Sequence, residues 1–219
     1  MDRVSFRNKK RDRLYHYDKL NNKITPISDE YTNVELVNVK DSKVIFAGRT
    51  FTDKQGLTSG LYVYDVKSQN LEVIVDKNLY DISYANFIED KIICALSDMK
   101  AYGVNENHKL YLIDSNKNIT LLNDNDTWLS CTVGSDCRLG GGKSFKVIGN
   151  KLYFLATIAE RVYLKSIDTN GKVEILSDKD GTIDFFDIAN GKIYYVGMRD
   201  YTLQEIYKLE NNESIKLTS

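Results

Sequence analysis

The sequence predicts an all-β fold made of β-propeller blades of four antiparallel strands, about four complete blades with one partial blade ahead of them. Three observations carry this prediction. One strand pattern recurs along the chain ending in an acid, a second recurs in phase with it opening with lysine, and the composition favours strands throughout.

Composition comes first because it bounds the rest. The 219 residues include 15 Tyr, 8 Phe and a single Pro, and they carry many Val and Ile but no Ala-rich stretch. Such side chains suit pleated, half-buried surfaces. Thirty basic residues nearly cancel thirty-one acidic ones, so no nucleic-acid partner is expected. No window approaches the run of about 18 apolar residues that a membrane span needs. The basic stretch from Met1 to Arg11 is not followed by an apolar segment, so neither a membrane partner nor export is expected and the chain is placed in the cytoplasm. Cys94, Cys131 and Cys137 form no C-x-x-C, and only two His accompany them. They are expected to be reduced thiols, without metal or any other cofactor.

The first repeat reads Leu14-Tyr15-His16-Tyr17-Asp18, Leu61-Tyr62-Val63-Tyr64-Asp65, Leu110-Tyr111-Leu112-Ile113-Asp114, Val162 to Asp168, and Ile206-Tyr207-Lys208-Leu209-Glu210. Its first residues are spaced by 47, 49, 52 and 44. The second reads Lys43-Val44-Ile45-Phe46, Lys91-Ile92-Ile93-Cys94, Lys151-Leu152-Tyr153-Phe154 and Lys192-Ile193-Tyr194-Tyr195, spaced by 48, 60 and 41. A short polar turn precedes each lysine. Asn190-Gly191 is the strongest of these turns because both residues tolerate positive φ.

Taken in order, the partial blade covers residues 1–28, with strands at Val4 to Phe6, Leu14 to Tyr17 and Ile24 to Ile27. Complete blades are expected at about 33–76, 82–123, 143–177 and 183–218. In each, an inner strand leads through the polar turn into the lysine-headed strand, then a variable loop, the Leu-Tyr strand, a second polar turn and a closing strand. Helical repeats are excluded because apolar residues alternate or run in blocks rather than recurring at i, i+3, i+4. The first blade lacks its innermost strand, so the chain reads as an open segment of a larger propeller, with edges able to self-associate.

The last third resembles the propeller domain of the prolyl oligopeptidase and acylaminoacyl-peptidase family of serine peptidases. The residues that carry the resemblance are Asp136-Cys137-Arg138-Leu139-Gly140-Gly141-Gly142, Lys151-Leu152-Tyr153-Phe154, Asn190 to Gly197, Leu203 to Glu210 and Lys216-Leu217-Thr218-Ser219. The resemblance implies a propeller that covers the active site of an α/β-hydrolase domain in the same parent chain and filters its peptide substrates by size. It does not imply catalysis by these residues. No G-x-S-x-G elbow is present, and Gly142-Lys143-Ser144-Phe145-Lys146 lacks the second Gly. The adjacent glutamates with which dipeptidyl members hold a substrate amino terminus are also missing. The chain is therefore read as a non-enzyme, with a free-standing binding propeller as the alternative.

Four residues are candidate partner contacts: Arg49, Arg138 and Arg199, which follow lysine-headed strands or enter long loops, and Trp128, in the insertion that stretches one spacing to 60. A guanidinium fork suits a partner carboxylate and a lone Trp suits an interface anchor. Inter-blade salt bridges and packing over a blade edge are the alternatives. Gly140-Gly141-Gly142-Lys143-Ser144 is read as a turn rather than a phosphate loop, because position 137 is Cys and a strand follows. His16 and His108 are read as structural.

Overall fold

The computed structural model describes residues 10–124, 126–134, 142–177, 181–199 and 202–218. The predicted strand at Val4 to Phe6, and Cys137, Arg138 and the first two glycines of the triplet, lie outside them. The strands are β1 (Tyr15–Asp18), β2 (Lys23–Pro26), β3 (Thr32–Lys40), β4 (Lys43–Thr50), β5 (Ser59–Asp65), β6 (Asn70–Ile88), β7 (Lys91–Ser97), β8 (Lys109–Ile113), β9 (Ile119–Asn123), β10 (Phe145–Ile148), β11 (Lys151–Ile158), β12 (Arg161–Asp168), β13 (Val173–Ile175), β14 (Thr182–Ala189), β15 (Lys192–Met198), β16 (Glu205–Glu210) and β17 (Glu213–Lys216). Consecutive strands pair antiparallel within each sheet, so the all-β blade prediction holds.

Two compact units divide the chain at Leu121 and Leu122. The first unit holds the two-stranded sheet β1–β2 and a seven-stranded sheet running from β3 to β9. That larger sheet is two blades joined by one long strand. The first part of β6 closes the first blade against β5, and residues from Asp81 onward open the second against β7. The second unit holds two separate four-stranded blades, β10–β13 and β14–β17.

The structure explains why the two sequence repeats run in phase. Lys43 sits opposite Asp65 across β4 and β5, and Lys151 sits opposite Asp168 across β11 and β12. The lysine head and the acidic tail thus end neighbouring strands at the same rung. The acid has a local task as well. Asp65 Oδ1 accepts the amides of Lys67 and Ser68, both at 2.9 Å, and Asp114 and Asp168 hold their turns in the same way. These bonds hold the Asp65 and Asp114 carboxyls below the usual carboxylate range, through Ser68 and through Asn118 respectively. Asp41, Glu89 and Asn190 take positive φ at the inner hairpins, as the turn prediction requires.

Packing follows the alternation of side chains along each strand. Between the two blades of the first unit lie Ile45, Ala47, Leu61, Val63 and Val75 from one side and Ile82, Ala85, Ile92, Cys94, Leu96 and Ile113 from the other. In the second unit Leu155, Val162 and Leu164 meet Ile183, Phe186, Ile188, Tyr195, Tyr207 and Leu209. The sheet β1–β2 contributes Ile27, with Leu14 beside it, to a smaller cluster against Val44, Phe46 and Tyr64. Burying each of the larger side chains contributes roughly 1.5–3 kcal/mol.

Candidate functional site

Inner strands carry a repeated irregularity. The ladder shifts between Val34 and Leu36, between Ile82 and Tyr84, and between Ile183 and Phe185. Each shift extrudes one residue, which is Glu35, Ser83 or Asp184. A bulge leaves its extra residue outside the ladder, free to aim a side chain.

In the first unit this register becomes an ion network across the blade boundary. Arg49, near the end of β4, donates to Glu35 Oε1 at 2.8 Å and to Asp81 Oδ1 at 2.6 Å, and its Nε reaches Leu57 O at 3.4 Å. Asp81 Oδ2 pairs with His108 Nε2 at 3.2 Å. Burial pushes the Asp81 carboxyl up, but hydrogen bonds from His108 and Arg49, with the Arg49 charge, outweigh it and hold the group below its ordinary range. The guanidinium is thus occupied by this protein's own carboxylates, the inter-blade alternative weighed for Arg49. Sequence reading missed Asp81 and His108 as partners, because 27 residues separate them and only the blade fold brings them together.

A His–Asp dyad in acyl transfer would also need a nucleophile within hydrogen-bond reach; the contact the structure gives His108 is the one with Asp81. His16 stands beside Tyr64 of the neighbouring blade, with ring centroids 6.4 Å apart. No group of three His, Cys, Asp or Glu side chains among the described residues is placed to hold a metal.

In the second unit the bulge register of the third complete blade is filled by the insertion. Trp128 forms a bridge with Thr157, and Thr157 N donates to Trp128 O at 2.9 Å. The inner strand therefore starts at Trp128, breaks where its neighbours bulge, and resumes at β10. Ser130 and Ser144 face each other across the neck, 2.9 Å between hydroxyls, and Thr157 Oγ1 donates to Ser130 O at 2.6 Å. The insertion leans on the following blade. Lys143 bridges to Phe186, and Cys131 Sγ, which donates to Val133 O at 2.9 Å, lies 3.7 Å from Asp184 Oδ1. Asp184 Oδ2 is buried with no hydrogen-bond partner among the described residues. Trp128 itself stands about half exposed at the root of this loop.

Arg199 closes an aromatic ladder in the same unit. Tyr195 and Tyr207, paired across β15 and β16, stack at 5.1 Å, and Arg199 lies 5.7 and 5.6 Å from their centroids while its Nε donates to Tyr195 Oη at 2.6 Å. Its guanidinium, like that of Arg49, meets groups of this protein, here two aromatic faces and a phenol oxygen.

A groove of roughly 470 Å³ opens between the blades of the first unit, beside the inner hairpins. Val63, Ile74, Phe87, Ile92 and Ile113 form its apolar lining. Two lysines strap it. Lys40 reaches Glu89 O at 2.8 Å, and Lys117 reaches Val73 O at 2.8 Å and Glu72 at 2.9 Å.

With strands, bulges and boundaries in hand, comparison with known proteins decides the fold. The Pyrococcus horikoshii acylaminoacyl peptidase matches over 90% of this chain at 16% identity with a TM-score of 0.65. This chain is a β-propeller segment. It spans only 28% of that peptidase. The β-propeller domain of the Trilobed protease from Pyrococcus furiosus matches over 94% of this chain and 76% of its own length, at 15% identity and a TM-score of 0.52. Porphyromonas gingivalis dipeptidyl peptidase 4 matches over 95% of this chain and 36% of its own length, at 10% identity and a TM-score of 0.62. No protein-family model matches the sequence, and no curated protein matches it. The resemblance read from the sequence is thus met in the fold, and the matched parts are the propeller portions of peptidase chains.

Proposed function

We propose that this chain is the non-catalytic propeller segment of a larger serine peptidase of the prolyl oligopeptidase type, shielding its α/β-hydrolase domain and limiting which peptides reach it. One observation carries the reading. The acylaminoacyl peptidase match takes in 90% of this chain but only 28% of the peptidase, and Arg49, Asp81 and His108 are paired with one another across a blade boundary. A sheet held by inter-blade ion pairs and capped turns is a rigid wall, which is what a size filter needs. The cytoplasmic placement belongs to the same proposal.

The test is to join the chain to the hydrolase domain encoded with it and compare substrates. The joined protein cleaves short chromogenic peptides, and removing residues 10–218 extends cleavage to long, unstructured polypeptides. Unchanged length preference after removal sinks the gating role. A serine-directed covalent label appearing on the isolated chain sinks the non-catalytic role. The groove between the first unit's blades favours the second reading, a binding propeller that takes a small ligand there, and saturable binding without any encoded hydrolase domain is its signature.

A further inference from the structure

The inner hairpins repeat one rung with a single exception. The lysine that heads the second strand of each complete blade stands opposite Ile88 in the second, Ile148 in the third and Ala189 in the fourth. In the first blade it stands opposite another lysine, Lys40 against Lys43. Residues directly opposite in an antiparallel pair share a face, and like charges placed there destabilise the pairing. A hairpin that sets two ammoniums where its equivalents set an ammonium and an aliphatic side chain has room for an anion.

The protein's own carboxylates supply that anion only in part. Lys40 Nζ donates to a carbonyl, Glu89 O, at 2.8 Å, and among the described residues neither Lys40 nor Lys43 makes an ion pair with a carboxylate. Asp65 stands across from Lys43, but its Oδ1 is held by the Lys67 and Ser68 amides. Glu72, on the same groove, is taken by Lys117 at 2.9 Å, while Asp41, Glu89 and Asp90 sit on the hairpin tips. The equivalent Lys151, by contrast, is bonded to Glu174 at 2.6 Å. Both uncompensated lysines line the groove of roughly 470 Å³. Alternation along β4 sets Lys43 on the face of Ile45 and Ala47, which looks across the boundary to the second blade.

We propose that this groove binds a small molecule with an apolar body and a single carboxylate, the carboxylate between the Lys40 and Lys43 ammoniums and the body on Val63, Ile74, Phe87, Ile92 and Ile113. An ammonium has three donors, so Lys40 keeps two for the ligand while it holds Glu89 O. One carboxylate accepts from both lysines at once, and charge-assisted bonds of this kind are roughly twice as strong as neutral ones. One negative charge also answers the rung, where two lysines face Asp65 alone. A bare inorganic anion would leave the apolar lining in water, whereas an apolar body removes it. The inference names the ligand class for the groove on which the second reading of the preceding section rests, and it holds with or without a hydrolase domain.

Calorimetric titration of the full chain with three matched probes tests it: 4-phenylbutyrate, its neutral amide 4-phenylbutyramide, and the cation 4-phenylbutylamine. The acid binds saturably and at least about tenfold more tightly than the amide, the amine binds more weakly still, and added salt narrows the gap between acid and amide. Lys40→Gln and Lys43→Gln each remove most of the acid's advantage and leave the affinity for the amide unchanged. Both lysines are exposed, and unchanged circular dichroism shows that the fold persists. Inorganic phosphate at equal concentration displaces the acid poorly, because it makes no use of the apolar lining. Absence of saturable binding of the acid, equal affinity for acid and amide, indifference to both lysine substitutions, or displacement by phosphate as effective as by the acid itself overturns the proposal. Saturable binding that favours the amide or the amine keeps the second reading of the preceding section and loses this one, and the gating role is read separately by substrate length.

Discussion

The two units solve the same packing problem with different fasteners. In the first, the blade boundary is crossed by charge: Glu35, Arg49, Asp81 and His108 in one chain of contacts, and Lys40 and Lys117 at the groove. In the second, an insertion grows from the bulge and leans on the next blade, while Tyr195, Tyr207 and Arg199 stack at the loop end. Beneath both lies the same apolar alternation. The repeat is therefore maintained by the core, and the surface of each boundary is left to differ.

The largest expected effect tests the shared part. A Cβ on Gly48 would stand 2.6 Å from Asn33 O and 2.8 Å from Thr32 Cγ2, and one on Gly197 would meet Thr182 O. Both glycines pair with inner strands beside the bulge. Gly48→Val and Gly197→Val are each expected to cost about 3 kcal/mol or more by forcing the strands apart, measured by urea unfolding. Equal losses in both units confirm a common core, and a harmless substitution in one unit shows that its inner strand can shift.

Core truncation comes next. Leu61→Ala and Leu164→Ala remove fully buried side chains at equivalent rungs and are each expected to cost about 2–5 kcal/mol. A cost confined to one of them breaks the equivalence.

The fasteners sharpen the contrast. Arg49→Met leaves Asp81 half-buried beside His108 alone and is expected to cost about 1–3 kcal/mol. The change should also be pH-dependent. The folded Asp81 carboxyl lies below its unfolded value, so its stabilisation is full above the ordinary carboxylate range near pH 4 and fades as pH falls through the folded value. The stability gap between the natural protein and Asp81→Asn should accordingly shrink as pH is lowered below about 4. A gap that widens in acid contradicts the network.

The smallest effect belongs to the turns. Asp114→Ala removes the acceptor for the Asn116 and Asn118 amides and is expected to lower Tm by roughly 2–4 °C. Asp168→Ala should match it in the other unit, and a difference would mean that the Lys-to-acid rung matters more than the turn.

What the sequence by itself determined is everything that repeats. Strand alternation, the lysine heads, the terminal acids and the polar turns are local, because side-chain period and turn chemistry act within a few residues. They were enough to predict an all-β fold of propeller blades; the cross-strand rungs of Lys43 with Asp65 and of Lys151 with Asp168 then showed why the two series run in phase. Only the tertiary structure decided what joins one blade to the next. Asp81 finds Arg49 and His108, and Cys131 finds Asp184, across 32, 27 and 53 residues, through contacts that carry no local pattern. The candidate Arg49 and Arg199 were legible as guanidiniums near loops, but not as groups already paired, because pairing depends on a neighbour the sequence does not place. The unequal burial of Tyr17 and Tyr64, two tyrosines in the same sequence pattern, shows this most plainly. Their residue type and strand position are alike, and contacts from outside their own strands set Tyr64 in the core, against Ile27 and Leu14, while Tyr17 stands exposed.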